Sequence, residues 1–96
     1  MTVFQFKEPA RLDLSIVIVS FNTRDVLLDC LTSVYAQTEG ISYEVIVVDN
    51  ASIDDTPYAI SKKFSDVRLI RNDVNKGFSA ANNQGICESA GKWITL

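Results

Sequence analysis

Two apolar runs set the pattern of the chain. Leu14 to Ser20 (LSIVIVS) and Tyr43 to Val48 (YEVIVV) are dense in β-branched side chains. Strands buried on both faces of a parallel sheet read this way. The first run stops at Ser20, Phe21 and Asn22. The second breaks into Asp49, Asn50, Ala51 and Ser52, so a carboxylate, an amide and a hydroxyl stand where the strand ends. Between the runs, Leu27, Cys30, Leu31 and Val34 recur at helical spacing and define one apolar face. Asn22 or Thr23 is the expected cap of that helix, with Asp25 suiting its dipole. Gly40 closes the segment that ends it.

The alternation continues. Thr56 as cap with Pro57 at the first helical position starts a short helix whose inner side is Ile60 and Phe64. Val67 to Arg71 reads as a third strand of mixed polarity, nearer an edge than the first two. Asn72 to Phe78 (NDVNKGF) is a polar loop. Ser79 to Ala90 reads as a helix rich in small residues, with Ile86 and Cys87 as apolar anchors and Gly91 closing it. Gly85 inside it costs about 1 kcal/mol relative to Ala, so it is expected to admit a close neighbour. Lys92 to Leu96 starts a fourth strand. Strand–helix alternation of this kind predicts an α/β fold, a three-layer αβα sandwich with a mostly parallel, doubly wound, Rossmann-like sheet, truncated after the fourth strand. Residues 1–13 read as a lead-in. Phe4 and Phe6 alternate with polar residues, which permits a short strand, and Pro9 breaks it. Residues 14–96 form the domain.

Composition narrows the function. The formal net charge is -3 and the sequence pI is about 4.7, which argues against a nucleic-acid partner. It leaves room for a small anion held by backbone N–H groups at a helix start. The chain has no His, so a His-based triad is ruled out within it. Cys30 and Cys87 fit small buried thiols better than a disulfide of a secreted scaffold. No apolar run reaches the ~20 residues of a membrane span, and residues 1–12 lack the layout of a secretory signal. The expected location is cytoplasmic, with peripheral association at the inner face of the membrane as a variant. The turn Ser20–Asn22 has no glycine, and no GK[ST] follows it, so the ordinary dinucleotide and phosphate-loop readings fall.

Ligands of open α/β sheets bind outside the carboxyl ends of the strands. The predicted fold brings Ser20–Asn22, Asp49–Ser52 and Asn72–Phe78 to that one edge. There Asp49 could accept a base N–H, Phe21 could lie against a ring, and Lys76 with the backbone around Gly77 could meet a diphosphate. Each has a plainer alternative. Asp49 and Asn50 suit an Asx-type turn, Phe21 could cover the sheet edge, and Lys76 could be a solvated loop lysine. Asp54 and Asp55 fit helix N-terminal carboxylates rather than a metal pair. Asn82 and Asn83 could hold a loop or touch a ligand, and Trp93 fits packing.

SIVIVSFN (Ser15–Asn22), EVIVVDNASIDDT (Glu44–Thr56), NKGFSAANNQGI (Asn75–Ile86) and AGKWITL (Ala90–Leu96) together resemble the amino-terminal half of a family 2 glycosyltransferase of the GT-A fold, near its rhamnosyltransferase-like members. The resemblance spans about Leu14 to Leu96 and is specific to the superfamily, not to a sugar. It implies a nucleotide-diphospho-sugar donor, UDP- or dTDP-linked. It implies transfer of the sugar, with rhamnose as a candidate, to a hydroxyl of a glycan or lipid-linked acceptor in cell-surface polysaccharide synthesis, usually with inversion. Carried over by position, Ser20, Phe21 and Asn22 line the nucleotide pocket and Asp49 takes the base. Asn50 and Ser52 border it, Lys76 and Gly77 lie near the phosphates, and Asn83 supports their loop. In the family an Asp-containing motif holding Mg²⁺ or Mn²⁺ follows the strand at Lys92–Leu96. That motif is absent from this chain, so no catalytic or metal residue is assigned and the chain alone is expected to be inactive. The metal stabilises the departing diphosphate, and a base is needed to activate the acceptor hydroxyl. The competing expectation is a non-catalytic α/β module that dimerises through the exposed edge of its fourth strand. A nucleotidyltransferase-like domain would want a glycine- and basic-rich loop, which Ser20–Arg24 lacks.

Overall fold

A computed structural model describes residues 3–5 and 12–96. Pro9 and Phe6, read above as the end of a lead-in strand, lie outside the described residues. The chain runs β1 (Val3–Gln5), β2 (Leu12–Ser20), α1 (Arg24–Gln37), β3 (Tyr43–Asp49), α2 (Thr56–Lys63), β4 (Arg68–Arg71), α3 (Phe78–Glu88) and β5 (Gly91–Thr95). The five strands form one sheet in the order β1-β5-β2-β3-β4. All pairs are parallel except β1 with β5.

The two apolar runs form the middle of this sheet, and their side chains alternate between its faces as strand geometry requires. Ile16, Val45 and Val47 pack with Leu27 and Leu31 of α1 and Ile60 of α2 on one face. Val17, Ile46 and Val48 pack with Ala81 of α3 and Ile94 on the other. The three-layer arrangement expected from the sequence is therefore present. The mixed-polarity strand β4 lies at the sheet edge, as its pattern suggested. From β2 the chain moves outward through β3 to β4, and α3 then carries it back across the sheet to β5 on the other side of β2. This reversal is a topological switch point, where open α/β sheets place their ligands.

Several expectations are corrected. The fourth parallel strand does not leave its edge open, because Val3–Gln5 pairs with Trp93–Thr95 in antiparallel register. Dimerisation through that edge loses its basis. Cys30 and Cys87 are exposed rather than buried. Leu27 and Leu31 define the inner face of α1, and Cys30 sits to its outside. In α3 the contact face is Ala81, Asn82 and Gly85, with Ile86 only partly covered. Trp93 is half exposed rather than packed. Thr56 is already helical and Asp55 holds the cap position, so Pro57 stands one place further in than expected.

Gly91 opens β5 instead of closing α3. Both glycines mark close approaches. A Cβ on Gly85 would lie 2.3 Å from Val17 Cγ1, and one on Gly91 would lie 2.5 Å from the Ser15 backbone nitrogen. At the amino end of the sheet, Glu44 ties these neighbours together. It accepts from Ser15 Oγ and from the Ala90 N–H, each at 2.7 Å. Ser15 Oγ in turn accepts from the Gly91 N–H at 2.8 Å. Arg68 reaches Glu44 at 3.4 Å and donates to the Glu88 carbonyl at 2.7 Å.

The two glycines are expected to differ on substitution. Gly85→Ala gains about 1 kcal/mol of helix propensity, but its Cβ meets the buried, β-branched Val17 side chain, which must shift. The ~1–3 kcal/mol of overpacking is thus only partly offset. Gly91→Ala meets backbone that cannot yield, and should lose more than about 2 kcal/mol. Urea unfolding of both variants checks the order; equal losses would contradict it.

Candidate functional site

The rim formed by the carboxyl ends of β2, β3 and β4 is held level by register. Ser20 is paired with Asp49, and Asp49 with Arg71. Backbone bonds continue the ladder past the strands, from Asn50 N–H to the Ser20 carbonyl at 2.8 Å and from Asn72 N–H to the Asp49 carbonyl at 2.9 Å. The three loops named from the sequence therefore leave one edge side by side.

Asp49 is 2% exposed. A buried carboxylate needs donors, and the two flanking loops supply them. Ser52 Oγ donates at 2.6 Å and Ser20 Oγ at 3.3 Å, both to Oδ1. The Ser52 N–H donates to Oδ2 at 3.0 Å. Ser52 Oγ also accepts from the Asn22 N–H at 2.9 Å, and Asn22 Oδ1 accepts from the Ile53 N–H at 2.8 Å. Ser20, Asn22, Asp49 and Ser52 thus form one cluster joining the loops after β2 and β3. Asn22 and Ala51 both have positive φ, 52° and 70°. Asn tolerates that region; Ala does so at a cost of about 1 kcal/mol.

A second cluster lies beside the first and is built of amides. Asn50 bonds the loop Asn75–Gly77 on one side and Asn72 on the other. Asn72 and Gln84 exchange two bonds, at 2.8 and 2.9 Å. The loop after β4 is thereby fixed to β3 and α3. Gly77, at φ 84°, makes the turn into α3, whose N-terminus has no side-chain cap. The support assigned to Asn83 comes instead from its neighbour Gln84. Asn83 is exposed, and with Gln84 it lines a depression of about 460 Å³ completed by Ile70, Ala80, Cys87 and Glu88. Gln84 had no local signal in the sequence, because its partner lies on another element.

Around these two clusters the rim presents exposed side chains. Phe21 is 46% exposed, Phe78 70%, and Lys76 is exposed. Next to the loop after β2 lies a concavity of about 440 Å³ lined by Asn22, Thr23, Arg24, Asp25, Val26 and Asp54. Asp54 accepts from the Thr56 hydroxyl and from the Thr56 N–H, the latter at 3.0 Å. These donors, the hydroxyl first, hold its carboxyl below the ordinary carboxylate range. Asp55 pairs with Arg24 at 3.2 Å. Both aspartates are thus engaged by helix and loop partners. No group of three or more His, Cys, Asp or Glu able to hold an ion occurs among the described residues. The donor set of the described rim does not fit a metal ion.

Comparison with known proteins bears on the family and the fold. The family model described as glycosyl transferase family 2 matches residues 15–96. The succinoglycan biosynthesis protein ExoO of Rhizobium meliloti is 40% identical over 86 residues, covering 88% of this chain and 24% of that protein. The chain spans about a quarter of the length of the curated relatives it matches. Among solved structures, a mannosyltransferase from Pyrobaculum calidifontis in complex with GDP-Man and Mn²⁺ superimposes with TM-score 0.71 at 24% identity, over 84% of this chain and 25% of that one. Residues 1–349 of S. aureus TarS in complex with UDP give 0.76 at 20% identity, over 85% and 25%. These likenesses confirm the α/β fold of GT-A glycosyltransferases.

Two outcomes follow from the geometry. Ala51→Gly should be neutral or stabilising, by up to about 1 kcal/mol, where Ala→Gly ordinarily destabilises; thermal unfolding measures it, and a clear loss would contradict the strain at Ala51. Because the folded Asp54 carboxyl titrates below its unfolded value, its stabilisation is present above the unfolded value and lost as pH falls through the folded one. In Asp54→Asn, stability should fall less over that acid window than in the wild type. Identical acid profiles would remove the effect.

Proposed function

The chain belongs to glycosyl transferase family 2, and from that premise we propose that this rim binds the nucleoside diphosphate of a sugar donor. The observation that carries the reading is the buried Asp49 carboxylate at the carboxyl edge of the sheet, with an exposed aromatic ring and an exposed lysine on the loops either side of it. A carboxylate offers about four acceptor positions. Three on Asp49 are taken by Ser20 and Ser52. The fourth, on Oδ2, suits an imide N–H such as that of uracil or thymine, which favours a UDP- or dTDP-linked donor. Phe21 stacks on the base, Ser20, Asn22 and Ser52 frame the pocket, and Lys76 and Gly77 meet the phosphates. Asn83, exposed beside Gln84 at the depression along α3, contributes least.

The donor sugar, with rhamnose as a candidate, passes to a hydroxyl of a glycan or lipid-linked acceptor with inversion, in cell-surface polysaccharide assembly at the cytoplasmic side of the membrane. ExoO, named for succinoglycan biosynthesis, supports the pathway class. Among the described residues no helix is long and apolar enough to cross a membrane. The mannosyltransferase complex with GDP-Man and Mn²⁺ supports a divalent cation in this chemistry. Here that ion would need ligands beyond the described donor set. The rim is assigned to holding a donor, and among the described residues none is assigned to activating an acceptor. The 96-residue chain is therefore expected to bind donor without turnover.

Calorimetric titration with UDP and dTDP, with and without Mn²⁺, tests the reading. One of the two should bind, and Asp49→Ala should weaken it by tenfold or more. Phe21→Ala should cost about tenfold through lost stacking, with unfolding shifted by no more than about 1 kcal/mol because the ring is half exposed. A folded chain that binds neither nucleotide would overturn the reading. Release of labelled sugar by the chain alone would overturn the expected inactivity.

A further inference from the structure

We infer that Asn50 is a positioning residue for the phosphate side of the pocket and makes no ligand contact itself. The inference rests on the donor-site reading above. Asn50 is 3% exposed, and its amide is used to capacity. A side-chain amide has two donors and about two acceptor positions. Nδ2 donates to Asn75 Oδ1 at 2.9 Å and to the Gly77 carbonyl at 3.3 Å. Oδ1 accepts from the Lys76 N–H at 2.9 Å and from Asn72 Nδ2 at 3.2 Å. No valence is left for a nucleotide. The orientation of the amide is dictated by its neighbours. Turned over, it would set NH₂ against the Lys76 N–H and oxygen against the Gly77 carbonyl.

The targets of these bonds give the role. Three of the four bonded groups lie on Asn75, Lys76 and Gly77, and none lies on the loops after β2 or β3. The Gly77 carbonyl that Asn50 holds also accepts from the Ala81 N–H at 3.2 Å, the first turn of α3. Asn75 Oδ1, held by Asn50, accepts in turn from the Gly77 N–H at 2.9 Å. Residues 75–77 are exposed and have no apolar anchor of their own. The backbone of this loop, the Lys76 N–H included, and the start of α3 are thus tied to a single buried amide at the end of β3. The Asn72–Gln84 pair braces that amide from behind. Preorganisation of this kind lowers the ordering cost of binding.

The experiment separates positioning from general support. UMP and UDP (and dTMP and dTDP) are titrated against the full chain and two variants. Asn50→Ala loses both donated bonds and adds no charge near the phosphates. Asn75→Ala, on the exposed loop, removes the acceptor of one of them and leaves the Gly77 carbonyl in place, without touching the core. In both, the diphosphate-to-monophosphate affinity ratio should fall by about tenfold, on the scale of one or two lost hydrogen bonds. Monophosphate affinity should stay within about twofold. A ratio unchanged in both variants, or an equal loss for mono- and diphosphate, overturns the inference while leaving the donor site intact. A wild-type chain that binds no nucleotide overturns the donor reading itself, and the inference falls with it.

Discussion

The register of β2 against β3 is the constraint on which the rim depends. It sets Ser20 opposite Asp49, so that a hydroxyl, a carboxylate and the loops behind them emerge at one level. A slip of one residue would turn every side chain of a strand to the other face. If β2 slipped, Ile16 would leave the side of α1, Val17 would leave the side of α3, and Ser20 would no longer stand opposite Asp49. The packing of both faces therefore enforces the geometry of the polar edge.

That edge is polar yet buried, which is tolerable only because each group is partnered. Asp49 takes its donors from the loops on either side, and Asn50 takes both donors and acceptors from the loop beyond. Adjacent residues thus serve opposite directions, one toward the loop after β2 and one toward the loop after β4. The consequence is a floor that does not depend on ligand for its shape. Phe21, Lys76 and Phe78 stand exposed around it, free to contact what the floor orients.

The opposite end of the same strands is fixed by a charged clamp. Glu44 gathers Ser15, the Ala90 N–H and Arg68, joining β2, β3 and β4 to the turn before β5. Gly85 and Gly91 let α3 and β5 come close enough for those bonds to form. With the amide network at one end and Glu44 at the other, α3 is held at both termini. This matters for the switch point, because α3 is the helix that crosses to the far face.

The amino-acid sequence determined the strand–helix order, the two buried strands, the edge position of β4 and the three loops that carry polar groups. These follow from periodicity and from where apolar runs stop, which are local properties. It could not determine that Val3–Gln5 would cover β5, that Cys30 and Cys87 would face outward, or that Gln84 and not Asn83 would brace the loop. Each of those is decided by which element lies alongside which, and by a rotation of about 100° per helical residue. The division of labour between Asp49 and Asn50 belongs to the tertiary structure as well. Side by side in the chain they look alike, and only the partners that folding brings to each make one a candidate ligand group and the other a brace.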